Sequence, residues 1–219
     1  MEIVDDYSSD STISNLSDSK DAPFIFDSED LIFNQKPEEF QPKIQSVTST
    51  LNLGSNLNLK IISQKMKDNF IEQNYKSSLI IKMKNSNAII TLFPNGKMVC
   101  SGARSEKEAK SICSKIAKII KKSGFEVHLK DYKVQNISAN YEINFGLNLN
   151  KLQKKICDFL SKCFCKFDKN IFPGLIIYID AINLTIFETG KIVITGAKNK
   201  KDIEKIFKLI YPVLYEAKI

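Results

Sequence analysis

Two stretches decide the fold: Leu92–Glu108, LFPNGKMVCSGARSEKE, and Ile186–Asp202, IFETGKIVITGAKNKKD. Each runs apolar residue, Phe, two turn residues, Gly, Lys, an alternating strand, Gly-Ala, a basic residue and a polar helix start. Gly96 matches Gly190 and Gly102 matches Gly196 at an offset of 94, while VTSTLNLG from Val47 matches ISANYEINFG from Ile137 at an offset of 90. The drift means small insertions between the two matches. A period this long is far beyond a solenoid unit and predicts two fused copies of one small domain.

Working outward, each copy repeats one grammar. An alternating strand leads to a helix, expected over Leu59 to about Lys67 and over Asn150 to about Phe167. Two strands follow, about 77–84 and 88–93, then 175–180 and 182–187. A tight turn, PNG or ETG, opens a further strand, and a long helix closes the copy. Ser105 with Glu108, and Asn199 with Asp202, stand where a capping box would start those closing helices. Strands that outnumber helices, joined by hairpin-length links, predict an α+β fold: an antiparallel sheet with helices on one face. The expected organisation is an acidic disordered tail at 1–41, a first repeat at 42–131 and a second at 132–219.

Alternation splits every strand into two faces. Met98, Cys100, Ile192, Ile194, Ile90, Leu92, Leu184 and Ile186 fall on an aliphatic face suited to packing beneath helices. Val99, Ser101, Val193, Thr195, Thr91 and Thr185 fall on the other, with Phe93 and Phe187 at the strand ends. The first strands add Ser46, Thr48 and Thr50, matched by Asn136, Ser138 and Asn140. Solvated sheet faces usually carry Lys and Glu, so a half-apolar face of valines, small hydroxyls and amides is unusual. It suits a long shallow partner such as the DNA minor groove, whose A·T pairs offer acceptors between apolar walls. A Phe at the strand end is then a candidate wedge between base steps, against the plainer reading of a ring packed at a sheet edge.

Charge points the same way. The net charge of +7 hides 11 acidic residues and two lysines in residues 1–40, and 30 basic against 14 acidic residues in the rest. A body that basic suits a polyanion, nucleic acid first and an anionic membrane second. No signal peptide and no apolar run of spanning length is read from the sequence, and no small-molecule substrate, cofactor or metal is expected. Cys100, Cys113, Cys157, Cys163 and Cys165 make no C-x-x-C pair; the plain reading of all five is small core residues in a reducing compartment. His128 is the lone histidine, expected on a strand, without clustered carboxylates or a phosphate loop, so an enzyme is not expected.

The phrases GKMVCSGARSE and GKIVITGAK, with FPGLI at Phe172, STLNLG at Ser49, YKVQNI at Tyr132, KKSGF at Lys121 and IYPVL at Ile210, resemble the TATA-box-binding protein family from Pro42 to Ile219. That family is itself the type example of a wedge-inserting minor-groove binder, so DNA bending is implied by the resemblance and not read from the residues. The resemblance implies a saddle: a curved sheet, concave side on AT-rich DNA, four helices on the convex side. Its wedges fall on Phe172, Phe187 and Phe93; the fourth falls on Lys76, with Tyr75 the neighbouring aromatic candidate. The implied groove contacts are Ser46, Thr48, Thr91, Val99, Ser101, Asn136, Ser138, Pro173, Thr185, Val193 and Thr195. The paired central asparagines of the family fall on Asn136 and Ser46, so one is kept. Lys76, Lys82, Lys97 and Lys191 fall where cations meet phosphates.

Partner surfaces are implied as well. The stretch DKNIF keeps Asp168 and puts Asn170 at the second acidic position of the transcription factor IIB contact. The basic helix with Lys118, Lys121 and Lys122 resembles the surface used for transcription factor IIA. The helix carrying CFC is expected to be longer in the second repeat and to alter a partner surface. The implied function is a general initiation factor that bends TATA-like promoter DNA and recruits the polymerase machinery, in a nucleus or a cytoplasmic viral factory. The alternative is a protein-interaction platform with weak or non-specific DNA binding. The acidic tail, FIFDSEDLIF above all, is a candidate DNA mimic for the basic face, or else a solvated or coactivator-binding segment.

Overall fold

A computed structural model describes residues 37–66, 70–75, 77–83, 85–161 and 163–219, with the backbone alone at Glu38 and 70–75. The acidic stretch up to residue 36, and Lys76, lie outside the described residues. The elements are β1 (Lys43–Asn52), α1 (Leu59–Lys65), β2 (Phe70–Tyr75), β3 (Ser78–Met83), β4 (Ile89–Leu92), β5 (Lys97–Ala103) and α2 (Glu106–Lys122), then β6 (Lys130–Glu142), α3 (Leu149–Phe159), β7 (Cys163–Asp168), β8 (Phe172–Ile179), β9 (Ile182–Phe187), β10 (Lys191–Ala197) and α4 (Lys200–Glu216). The second seven elements repeat the first seven.

All ten strands form one curved antiparallel sheet in the order β2-β3-β4-β5-β1-β6-β10-β9-β8-β7. Reading from the centre, the two halves run in the same sequence of elements, so the repeats are related by a pseudo-twofold axis between β1 and β6. Ser46 faces Ser138 and Thr48 faces Asn136 across that seam. The α+β saddle expected from the sequence is therefore the fold.

The face split follows the alternation. Met98, Cys100, Ile192, Ile194, Ile90, Leu92, Leu184 and Ile186 are fully buried beneath the helices, joined by Val47, Ile137 and the apolar sides of α2 and α4. Tyr141 stacks flat on Phe207 of α4, with ring centroids 3.7 Å apart. Phe40, just after a short 3-10 turn at Pro37–Glu39, packs edge-on against that same Phe207 and at a tilt against Tyr211. Helix starts are also as read. Ser105 accepts from the Glu108 amide at 3.0 Å and Asn199 from the Asp202 amide at 2.9 Å, which satisfies amides the first turn leaves free. Glu108 turns its other bond outward, taking the Arg104 amide at 2.7 Å.

Four expectations are corrected. Each repeat has five strands, not four: β2 and β7 are edge strands that the reading missed. The second-repeat helix ends at Phe159, with Leu160 already extended, so CFC lies on β7 and not on a longer helix. Along β7, Cys163, Cys165 and Phe167 are half-buried while Phe164, Lys166 and Asp168 are exposed, the period of a strand. Cys100 and Cys113 are buried as expected, but Cys157 is exposed and Cys163 and Cys165 are only partly covered. His128 lies on an irregular segment before β6, not on a strand; its amide donates to Leu53 O at 2.9 Å and its ring meets Glu126 at 3.0 Å in the open.

Candidate nucleic-acid interface

The helix-free side of the sheet carries one continuous half-exposed band. Register assembles it: Ile80 faces Thr91, Thr91 faces Val99, and Val99 faces Thr50 in the first repeat. Asn140 faces Val193, Val193 faces Thr185, and Thr185 faces Ile176 in the second. Ser46, Thr48, Asn136 and Ser138 close the middle, and Ser101 and Thr195 flank it. Thr50 accepts from Gln135 Nε2 at 2.8 Å across the seam. The surface is thus a strip of methyl groups and hydroxyls, with exposed Lys82, Lys97 and Lys191 at its margins.

At the centre, a backbone irregularity fixes a side chain. Both β5 and β10 carry one extra residue against their inner partner, a bulge before Ala103 and before Ala197. Gly102 and Gly196 sit there at φ +87° and +98°; a Cβ on Gly196 would lie 2.1 Å from Ala181 O. The Gly196 amide leaves the ladder and donates to Asn136 Oδ1 at 2.7 Å. A backbone N–H needs an acceptor, so the Asn136 oxygen is committed inward and its Nδ2 is left toward the open face, where it makes a long 3.5 Å contact to Ser138 Oγ. The arrangement presents a hydrogen-bond donor at the middle of the strip. Ser46 occupies the matching place in the first repeat with a shorter side chain.

The two ends differ. In the second repeat, Phe172 opens β8 and Phe187 ends β9, their rings edge-to-face with centroids 5.9 Å apart. Phe187 lies opposite Gly174, and a Cβ on that glycine would meet Phe172 Cε1 at 2.7 Å, Thr185 Cγ2 at 3.0 Å and Phe187 Cε1 at 3.2 Å. Gly174 therefore leaves the room in which both rings sit, and Phe172 and Pro173 remain exposed. In the first repeat, Phe93 holds the equivalent hairpin, its carbonyl accepting from the Gly96 amide at 3.0 Å. Ser78 stands in the place of Gly174, and Tyr75 pairs with Ser78 through the backbone. The Tyr75 side chain and Lys76 lie outside the described residues.

The sequence is similar to known proteins along this same span. The profile of the family described as "Transcription factor TFIID (or TATA-binding protein, TBP)" matches twice, over residues 41–123 and 131–217. The chain belongs to the TATA-binding protein family. A TATA-box-binding protein of Tetrahymena thermophila is 38% identical over 180 residues, 81% of this chain and 71% of that one. TATA-box-binding protein 1 of Arabidopsis thaliana is 35% identical over 84% of this chain and 90% of its own. Among solved structures, Methanococcus jannaschii TBP superposes with a TM-score of 0.67 at 25% identity, over 80% of this chain and 99% of its own. The family is one of DNA-binding transcription factors rather than enzymes.

For this TATA-binding protein family member, the strap before Phe172 is built from its own side chains. Asp168 Oδ1 accepts from the Asn170 amide at 3.0 Å, and Lys169 pairs with Glu188 of the neighbouring hairpin at 3.0 Å. The strap lifts Ile171 to 75% exposure, an apolar tip that the sequence reading missed. Lys118, Lys121 and Lys122 stand exposed on the last turns of α2, on the opposite side of the sheet from the strip. Two further residues on the open side were also missed. Phe164 and Tyr178 are 63% and 43% exposed and lie 5.9 Å apart, next to Asn183. Their signal was the internal repeat: aligned on LII, Tyr178 takes the place of Lys82.

Proposed function

We propose that this protein is a general transcription initiation factor that binds TATA-like promoter DNA through the helix-free strip and bends it, and so seats the transcription machinery, in the nucleus. One observation carries the reading. Asn136 offers a fixed donor at the centre of a strip of methyls and hydroxyls, and A·T pairs in the minor groove offer only acceptors. A G·C pair would instead set its own amino donor against that side chain. Phe172 and Phe187 are the wedges of the second repeat and Phe93 of the first, inserted where the strip ends. Ser46, Thr48, Thr91, Val99, Ser101, Ser138, Pro173, Thr185, Val193 and Thr195 line the groove. Lys82, Lys97 and Lys191 answer phosphates, which sets affinity and salt dependence but not sequence.

Recruitment uses the edges and the back of the saddle. Asp168 and Asn170, with the Ile171 tip, are the surface for a transcription factor IIB-like partner, and the Lys118, Lys121 and Lys122 cluster is that for a transcription factor IIA-like partner. A platform without specific DNA binding is not favoured by relatives that carry the name TATA-box-binding protein. The test is affinity and bending, by end-to-end energy transfer, on a TATA duplex and on a GC-rich duplex. The expected outcome is tighter binding and a shortened end-to-end distance on the TATA duplex alone. Equal affinity with no bend on either would reject the proposal.

A further inference from the structure

Three cysteines of the second repeat converge on the helix side of its outer edge. Cys157 is exposed on the last turn of α3, and Cys163 and Cys165 lie on the α3-facing side of β7. Their sulfurs all lie within 4.8 Å of one another, and Cys163 Sγ and Cys165 Sγ are 3.7 Å apart. A tetrahedral ion with metal–sulfur bonds of about 2.3 Å sets adjacent sulfurs about 3.8 Å apart. The two strand cysteines are therefore spaced as two corners of such a site. A disulfide between them fits less well: residues two apart on a strand have Cα atoms about 6.6 Å apart, near the limit a disulfide spans.

We propose that Cys157, Cys163 and Cys165 bind one zinc ion as thiolates, with the fourth position on the exposed Cys157 side open to water or another donor. Three sulfurs and no imidazole make a soft site, and the tetrahedral spacing fits zinc. Binding releases the three thiol protons to solvent and leaves the Zn(Cys)3 unit with one net negative charge. The ion would tie α3 to β7, the strand that runs into the Asp168–Ile171 strap and on to Phe172. The first repeat has Lys67, Phe70 and Glu72 at the matching sequence positions, so the clip belongs to one half only.

The test uses the full chain, stripped with a chelator under a non-coordinating reductant and then titrated with zinc and, separately, with cobalt(II). The expected result is one equivalent of zinc per chain, a tetrahedral cobalt spectrum with intense thiolate-to-cobalt absorption, and a zinc-dependent rise in melting temperature. Cys157→Ala, an exposed position whose loss leaves the core intact, should lower zinc affinity at least about 30-fold and abolish the melting shift. Cys113→Ala, on the buried face of α2 in the other repeat, should leave zinc binding as it was. The proposal is overturned by no zinc uptake in the wild-type chain, by uptake that Cys157→Ala leaves unchanged, or by a disulfide among the three in reducing buffer.

Discussion

The two ends of the sheet are built on one plan and finished differently. At the second-repeat end a glycine opposite Phe187 leaves space, and two phenylalanine rings meet in it. At the first-repeat end the glycine is Ser78, the FPG that precedes LI in the second repeat reads KSS, and Phe93 is the one family wedge that the sequence keeps. The centre differs in the same sense: Asn136 is locked by the Gly196 amide, while its counterpart is Ser46. Duplication thus preserves what folding needs, the bulges, caps and aliphatic face, in both halves. The positions proposed to meet DNA differ between the halves, Lys76, Ser78 and Ser46 standing against Phe172, Gly174 and Asn136.

The largest expected effect breaks the stronger end. Phe172→Ala with Phe187→Ala should weaken binding to a TATA duplex about 100-fold, if each wedge is worth about 1–3 kcal/mol, whereas Phe93→Ala should cost about 10-fold; titration by fluorescence anisotropy compares them. Next, Asn136→Ala should lose about 1–3 kcal/mol of preference for A·T over G·C, measured as the affinity ratio between duplexes, and Ser46→Asn should widen that ratio. Giving the first end the second end's sequence, Lys76→Phe with Ser77→Pro and Ser78→Gly, should raise affinity about 10-fold. If it does not, the loss at that end is not confined to the missing ring and glycine.

The smallest effect lies in the core beneath the strip. Ser49 is fully buried and its hydroxyl, beside the Cys113 thiol and the Tyr132 hydroxyl, makes no well-formed hydrogen bond among the described residues, while the matching residue of the second repeat is Ala139. Ser49→Ala should therefore stabilise the protein by about 1 kcal/mol and Ala139→Ser destabilise it by about as much, read as opposite shifts of the urea midpoint.

Much of this was legible in the sequence because sheet faces obey a period of two. Alternation alone separated the buried Met98, Cys100, Ile192 and Ile194 from the open Val99, Ser101, Val193 and Thr195, and the phrase repeat gave the pseudo-symmetry. The stretch after Phe159 misled because Leu152, Ile156, Leu160 and Phe164 recur every four residues and imitate a continuing helix. The competing signal, half-buried Cys163, Cys165 and Phe167 alternating with exposed neighbours, appears only once β8 supplies a pairing partner. The cysteine cluster was hidden for the same reason: its members come from a helix end and a strand, so their meeting depends on tertiary placement and not on spacing. The role of Gly174 was equally invisible, since it lies in where two rings pack and not in its own backbone.

The most direct measurement places an adenine analogue that brightens on unstacking at each end of a TATA duplex in turn. A strong signal is expected at one end, removed by Phe172→Ala with Phe187→Ala and left by Phe93→Ala, with a weaker signal at the other. Equal signals at both ends, or a strong signal that survives loss of Phe172 and Phe187, would contradict it.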